Sequence, residues 1–521
     1  MNFYKTIFTY LILLLVLSRV SAQDTIAIKY GKLITGESIK KHLTILAADS
    51  LEGRETAQPG MFKAADYVSK QFMSMGLPGV NGGSYYQQIP LLNFSNVTSE
   101  VNINNQNFIQ SNDYFISEAP ASVDLNTAEL FFAGYGITDS ISGWDDYKNG
   151  DAAGKIIIIL EGEPTGKKIK SLITNSDTES IWKTDRSKKI NLAKGKNPKA
   201  VFFIADDYEK MASRYAKRLE SGRLGLDSKE NNLLIPVIYI SEKTGDAILK
   251  KAGKTIPGIK KQINKKRKPA SGMIQANTRV KITIPKVFCN NVLGYIEGSE
   301  LKNEVIIISA HLDHLGKRGD KIYYGADDDG SGSSSIISMA ETFIKAKREG
   351  HQLKRSILFI AFTGEEKGLL GSEYYTKYPL FPLANTIANL NIDMIGRVDT
   401  VSRPSNYTYL IGSDKLSSQL HTINEAANND CCKLSLDYKY NDPSDKLKLY
   451  YRSDHYNFAK NKIPVIFYFT GLHDDYHKPT DTIDKIDFEK TAGIARLVFN
   501  TAWQLANRKD RIVVDVVNDF K

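Results

Sequence analysis

The sequence predicts an α/β fold whose core has a mostly parallel central sheet, interrupted by an inserted domain that is mainly β. Two contrasts along the chain predict it. From Cys289 onward, continuous apolar runs alternate with amphipathic helical stretches, the pattern of strands buried on both faces and covered by crossover helices. Between residues 95 and 285, short β-branched and aromatic runs are separated instead by Gly, Asn and Asp clusters. The length of 521 residues, at roughly 150 per domain, accommodates both and gives cores that fold without staples.

Taken in order, residues 1–22 have the layout of a secretory signal. Lys5 precedes an apolar run from Ile7 to Leu17, and Val20, Ser21 and Ala22 supply small residues for cleavage. The run is shorter than the ~20 apolar residues of a permanent span and no second one follows, so an exported chain with no stable membrane span after cleavage is expected. Ser38 to Ala48 reads as helix, as does Met61 to Met75, where Ala64, Ala65, Val68, Phe72 and Met75 recur at helical spacing before the stop at Gly76. Val101 to Ile103, Glu129 to Phe132, Ile156 to Leu160, Ala200 to Ile204 and Leu234 to Ile240 read as strands of the insert. Beyond it, Glu304 to His311, Ser356 to Thr363, Thr386 to Ile395, Thr408 to Gly412 and Ile463 to Gly471 read as strands. Gly332 to Arg348, Leu416 to Ala427 and Phe488 to Asn507 read as helices. The expected division is signal 1–22, first part of the core 23–115, insert 116–285 and remaining core 286–521.

Composition narrows the function classes. Hydrophobic residues at 42%, charged at 25% and aromatic at 10% exclude a disordered chain and a polytopic membrane protein. Lys+Arg 69 against Asp+Glu 59 gives +10, but the excess is dispersed. Its densest run, Lys254 to Lys268, lacks aromatics on which bases could stack, so no nucleic-acid partner is expected. Of the three cysteines, Cys431 and Cys432 are adjacent and do not close easily on each other without strain. Disulfides are therefore not the framework, and no CxxC pair exists for a structural zinc.

The chemistry is concentrated where open α/β sheets place their sites, at the carboxyl ends of strands. One strand runs into AHLDHLG, with His311, Asp313 and His314, followed by GADDDGSG, with Asp327, Asp328 and Asp329. A second runs into TGEEKG, with Glu365 and Glu366. A third contains NIDMIG, with Asp393, and the last reaches TGLHDDYHKPTDT, with His473, Asp474, Asp475 and His477. Acids at one helix start are ordinary caps. Four strand ends delivering only His, Asp and Glu would repel one another unless cations neutralised them, and imidazole mixed with carboxylate suits zinc or a related ion. Serine hydrolysis has little support: no GxSxG turn occurs, and Ser453, Asp454 and His455 are too close in sequence to form a triad with one another.

These motifs, together with LAADSLEGRETAQPG near the N-terminus, resemble the family-28 metallopeptidases of clan MH, the co-catalytic zinc aminopeptidases. GYGI followed by WDDYKNGDAAGKIIIIL, within Gly134 to Leu160, is similar to the protease-associated (PA) domain that many of them carry as an insertion. The resemblance implies a phosphorylase/hydrolase-like zinc exopeptidase core and two zinc ions per chain. It implies His311 and Asp393 on one ion, Glu366 and His477 on the other, and Asp327 as the bridging carboxylate, with a cis peptide between Asp327 and Asp328. Asp313 would orient the His311 imidazole, Glu365 would be the general base, and Tyr450 would stabilise the oxyanion, with Tyr451 its rival. By spacing alone, His314 and His473 are further ligand candidates, with hydrogen bonding as the alternative role for each. The expected function is hydrolysis of N-terminal residues from peptides with a free N-terminus, by an exported, periplasmic or extracellular enzyme. A glutamate-releasing carboxypeptidase and a glutaminyl cyclase share the fold, and a non-catalytic PA-domain binding protein is the alternative from another class.

Overall fold

A computed structural model describes residues 24–166, 169–220, 222–228, 233–250, 252–400 and 404–519. The signal expected at 1–22 lies outside them. The chain forms two compact units, one of residues 1–89 with 288–521 and one of Pro90–Val287. The second unit begins at Pro90, ahead of the expected 116, because Thr98–Ile103 and Gln106–Phe108 are strands of its own sheet.

The first unit is built on a mixed sheet. Its strands in chain order are β1 (Tyr86–Asn93), β2 (Lys286–Ile296), β3 (Leu301–His311), β4 (Arg355–Phe362), β5 (Thr386–Ile392), β6 (Tyr407–Ile411), β7 (Ser435–Asp437) and β8 (Val465–Phe469). In space they run β1-β2-β4-β3-β5-β8-β6-β7. The central four, β4-β3-β5-β8, are mutually parallel, whereas β2 and β6 pair antiparallel to their inner neighbours. Every residue of β4, β5 and β8 is buried, which explains the unbroken apolar runs: both faces of the sheet are covered. Ile306 and Ile308 join one apolar cluster, while Val305 and Ile307 join another across the sheet. At ~1.5–3 kcal/mol for each fully buried large aliphatic side chain, these layers dominate stability.

The covering helices have local causes. Gly36–Leu46 starts with a capping box in which Thr35 and Ser38 satisfy each other's backbone N–H. Pro59–Ser74 opens with Pro at its first position. Phe488–Asn507 is capped by Asp487, whose carboxylate accepts from Lys490 N at 3.0 Å. Cys431 and Cys432, expected to stay apart, are joined by a disulfide where the helix Ser418–Cys431 ends; the turn that follows puts Lys433 at positive φ.

The second unit carries an eight-stranded sheet. Ile156–Leu160, Ala200–Ile204 and Val237–Ile240 are parallel, and the long strands Ser122–Phe132 and Gly272–Thr283 pair antiparallel. Helices Arg186–Lys194, Tyr208–Glu220, Glu242–Lys250 and Ile256–Lys266 give this unit more α character than its β-rich texture suggests. Much of the basic run lies on the last of these, which buries Ile256, Ile259 and Ile263. Among the described residues no helix is long and apolar enough to cross a membrane.

Candidate metal centre

Because β3, β4, β5 and β8 are parallel, their carboxyl ends share one edge of the sheet. His311 ends β3, Glu365 and Glu366 follow β4, Asp393 follows β5, and His473 and His477 lie in the loop after β8. Helix Gly332–Arg348 is preceded on the same edge by Asp327, Asp328 and Asp329, all buried.

The three aspartates divide their roles. Asp328 stands at the centre: its Oδ1 lies 3.1 Å from His311 Nε2, and its Oδ2 lies 3.2 Å from His477 Nε2 and 3.7 Å from His314 Nδ1. On one side His311 Nε2 is also 3.4 Å from Asp393 Oδ1. On the other, Glu366 Oε1 is 2.9 Å from His314 Nδ1 and Glu366 Oε2 is 3.3 Å from His477 Nε2. Two ligand-type triads result, His311–Asp328–Asp393 and His314–Asp328–Glu366, with Asp328 common to both. Asp327, expected in that place, is turned away. Its Oδ1 accepts from Gly396 N at 2.6 Å and its Oδ2 lies 3.3 Å from His473 Nε2. Asp329 ties strand ends together, accepting from His311 N, Gly332 N and Met394 N. The cis peptide likewise falls one residue later than expected, between Asp328 and Asp329.

Gly325 lets this loop pass. Its φ is +54°, and a Cβ there would lie 2.2 Å from the Asp328 carbonyl oxygen and 2.5 Å from the His314 ring.

The electrostatics follow from burying acids and imidazoles together. Burial pushes the Asp328 carboxyl up, but His314, His311 and His477 hold it well below the usual range. Burial and Asp328 likewise oppose ionisation of Glu366, and His314 and His477 bring it down to about 2. Burial disfavours the charged His477 ring, yet Asp328 and Glu366 raise it to about 10. His311, also opposed by burial, is raised well above the ordinary value by Asp393 and Glu365. Protonated rings are thus balancing surplus carboxylates, a charge that bound cations would supply. His314 Nε2 is buried without a hydrogen-bond partner, although such atoms are normally satisfied, and the close contacts of His311 Nε2, His314 Nδ1, Asp328 Oδ2 and Glu366 Oε1 lack good hydrogen-bond geometry. The donor set fits divalent metal of the zinc type.

The surrounding groups fix these side chains. His311 Nδ1 is 2.9 Å from the Asp313 carbonyl oxygen, so the Asp313 main chain sets the ring orientation more closely than its carboxylate, which is 3.9 Å away. That carboxylate accepts from Glu365 N at 3.1 Å and Thr56 Oγ1 at 2.6 Å. Ser453 donates to Asp393 Oδ2 at 2.7 Å and is itself held by Asn391.

Glu365 lines the cleft beside the triads. Burial, reinforced by the charges of Asp393, Glu366 and Asp454, raises its carboxyl well above the usual value. The rest of the wall includes Met394, Leu449, Arg452, Phe467, Phe469, Leu472 and Tyr476. Tyr450 is not part of it: its ring is buried in an apolar cluster and its hydroxyl accepts from Asn518 Nδ2 at 2.8 Å. The cleft tyrosine is Tyr476, whose hydroxyl accepts from Arg452 Nη2 at 3.0 Å. Sequence reasoning passed over it although it directly precedes His477.

An α/β sheet with imidazoles and carboxylates gathered at the ends of its parallel strands has the build of a metal-binding site. Residues 291–502 match the model of peptidase family M28. The chain is 30% identical over 210 residues to a probable leucine aminopeptidase of Arthroderma otae, covering 39% of this chain and 54% of that one. It is 27% identical over 259 residues to a probable zinc metalloprotease of Pyrenophora tritici-repentis, covering 42% and 52%. The chain thus spans about half the length of these relatives. Among solved structures, an aminopeptidase from Aneurinibacillus sp. strain AM-1 aligns over 95% of this chain and 99% of its own, at 20% identity and a TM-score of 0.47.

Proposed function

We propose that the chain is an exported zinc exopeptidase, an aminopeptidase acting on peptides with a free N-terminus. One observation carries the reading: two ligand triads share Asp328, and the carboxyl of Glu365 lines the same cleft. His311, Asp393 and Asp328 would hold one zinc, and Asp328, Glu366 and the imidazoles of His314 and His477 the other. When bound, the two ions would lower the pKa of water and polarise the scissile carbonyl.

The remaining work falls to the chain. Glu365, with its raised proton affinity, takes a proton from the attacking water and returns it to the leaving amine. Tyr476 receives a hydrogen bond from Arg452, which leaves its own O–H available to the developing oxyanion, the role expected of Tyr450. Leu449, Phe467, Phe469 and Leu472 form an apolar wall for a substrate side chain and exclude water. Similarity to the PA domain supports reading the insert as an access or docking element.

Mass spectrometry of one peptide in free, N-acetylated and C-amidated forms tests the reading. Loss of cleavage on acetylation, indifference to amidation, and recovery of chelated enzyme by zinc are expected. Release confined to the C-terminal end would overturn it, and loss of ammonia from N-terminal glutamine without peptide cleavage would indicate a cyclase.

A further inference from the structure

The segment Gly53–Thr56, remote in sequence from every candidate ligand, is built into the site. Arg54 is 1% exposed, and its guanidinium has main-chain carbonyl oxygens as its hydrogen-bond acceptors. Nε donates to Leu312 O at 2.8 Å, Nη1 to Leu46 O at 2.6 Å and Tyr324 O at 2.7 Å, and Nη2 to Gly325 O at 2.9 Å. Leu312 lies between His311 and Asp313, and Tyr324–Gly325 leads into Asp327–Asp328. One planar group therefore bridges the loop carrying His311 and His314 and the loop carrying Asp328. The main chain reinforces the link, since His314 N donates to Arg54 O at 3.1 Å and Gly316 N to Gly53 O at 3.0 Å. Thr56 adds a third tie through its hydroxyl to the Asp313 carboxylate.

A buried cation is costly unless compensated. Here the compensation comes from carbonyl dipoles and from the charges of Asp328, Asp329, Asp481 and Asp313 around it. The guanidinium suits the position because its donors are set in a fixed plane and it stays ionised. An ammonium reaches fewer of the four carbonyls from one point.

We propose that Arg54 and Thr56 are positioning residues that clasp the two loops, setting the separation of the His311/His314 imidazoles from Asp328 and so the affinity of the site for zinc. This rests on the metal-site reading above, and the experiment keeps the two apart. Zinc is titrated against a chromophoric chelator into the full chain and into Arg54→Gln, Arg54→Lys and Thr56→Val, with folding checked by circular dichroism in the presence of chelator. Wild type should take up two zinc ions. Arg54→Gln should weaken at least one by roughly 10- to 100-fold, as loss of outer-shell partners does, with Arg54→Lys between it and wild type and Thr56→Val affected least. Should Arg54→Gln not fold, Arg54→Lys and Thr56→Val decide on the same criterion. Wild-type zinc affinity in the folded variants would overturn the clasp, because a purely structural role would lower the melting temperature and leave affinity unchanged. A wild-type chain that takes up no zinc would overturn the site reading itself.

Discussion

Glu365 and Glu366 are neighbours with opposite electrostatic fates, and the difference fits the separate roles proposed for them. Glu366 is flanked by His314 and His477 and is held ionised, as the proposed ligand role requires; Glu365 is pushed toward holding a proton by burial and by Asp393, Glu366 and Asp454, which together outweigh the opposing charge of His311. Glu365→Gln should therefore keep its zinc content and lose about 10²–10⁴-fold in kcat, measured as metal content and turnover on the same preparation; near-normal turnover would remove Glu365 from the chemistry. The two tyrosines separate in the same way. Tyr476→Phe should lower kcat by roughly 10²-fold, the scale of one oxyanion donor, with little change in thermal stability. Tyr450→Phe, which removes a hydroxyl bonded to Asn518, should cost about 1 kcal/mol in stability and leave kcat intact.

At the scale of elements, the parallel strands make the site and the helices behind them hold it. The long helix Phe488–Asn507 contributes Ile494, Leu497, Val498 and Trp503 to the core beneath the sheet, so its start matters. Asp487→Ala removes the cap on Lys490 N and should destabilise the chain by about 1 kcal/mol, measured by urea unfolding in chelator. Strand ends of this kind were legible in the sequence because buried parallel strands leave uninterrupted apolar runs and their polar ends stand out against them. The choice among Asp327, Asp328 and Asp329 was not. All three are acids on one loop, and which carboxylate turns inward depends on the path from Gly325 to Gly332 and on partners as distant as Gly396 and His473. Tyr476 escaped for a related reason: the YYRSDHY stretch is rich in tyrosine, but its first ring packs into the core, and the cleft is finished by the loop after β8. Arg54 carried no ligand signature, since its hydrogen bonds go to main-chain carbonyls.

For the whole molecule, every candidate ligand lies in the unit of residues 1–89 and 288–521, and the unit Pro90–Val287 has its own sheet and apolar cores. A chain in which a short flexible linker replaces residues 95–284 should, where it folds, keep two zinc ions and hydrolyse small aminoacyl substrates while losing efficiency on longer peptides. Loss of metal from the folded deletion, read by metal analysis, would tie the insert to the centre. The account as a whole turns on one arrangement, two ions on either side of Asp328. Anomalous diffraction at the zinc edge from zinc-loaded crystals tests it most directly. Two peaks are predicted, one within bonding distance of His311 and Asp393 and the other of Glu366 and a histidine, with Asp328 between them. A single peak, or a pair bridged by Asp327, would contradict it.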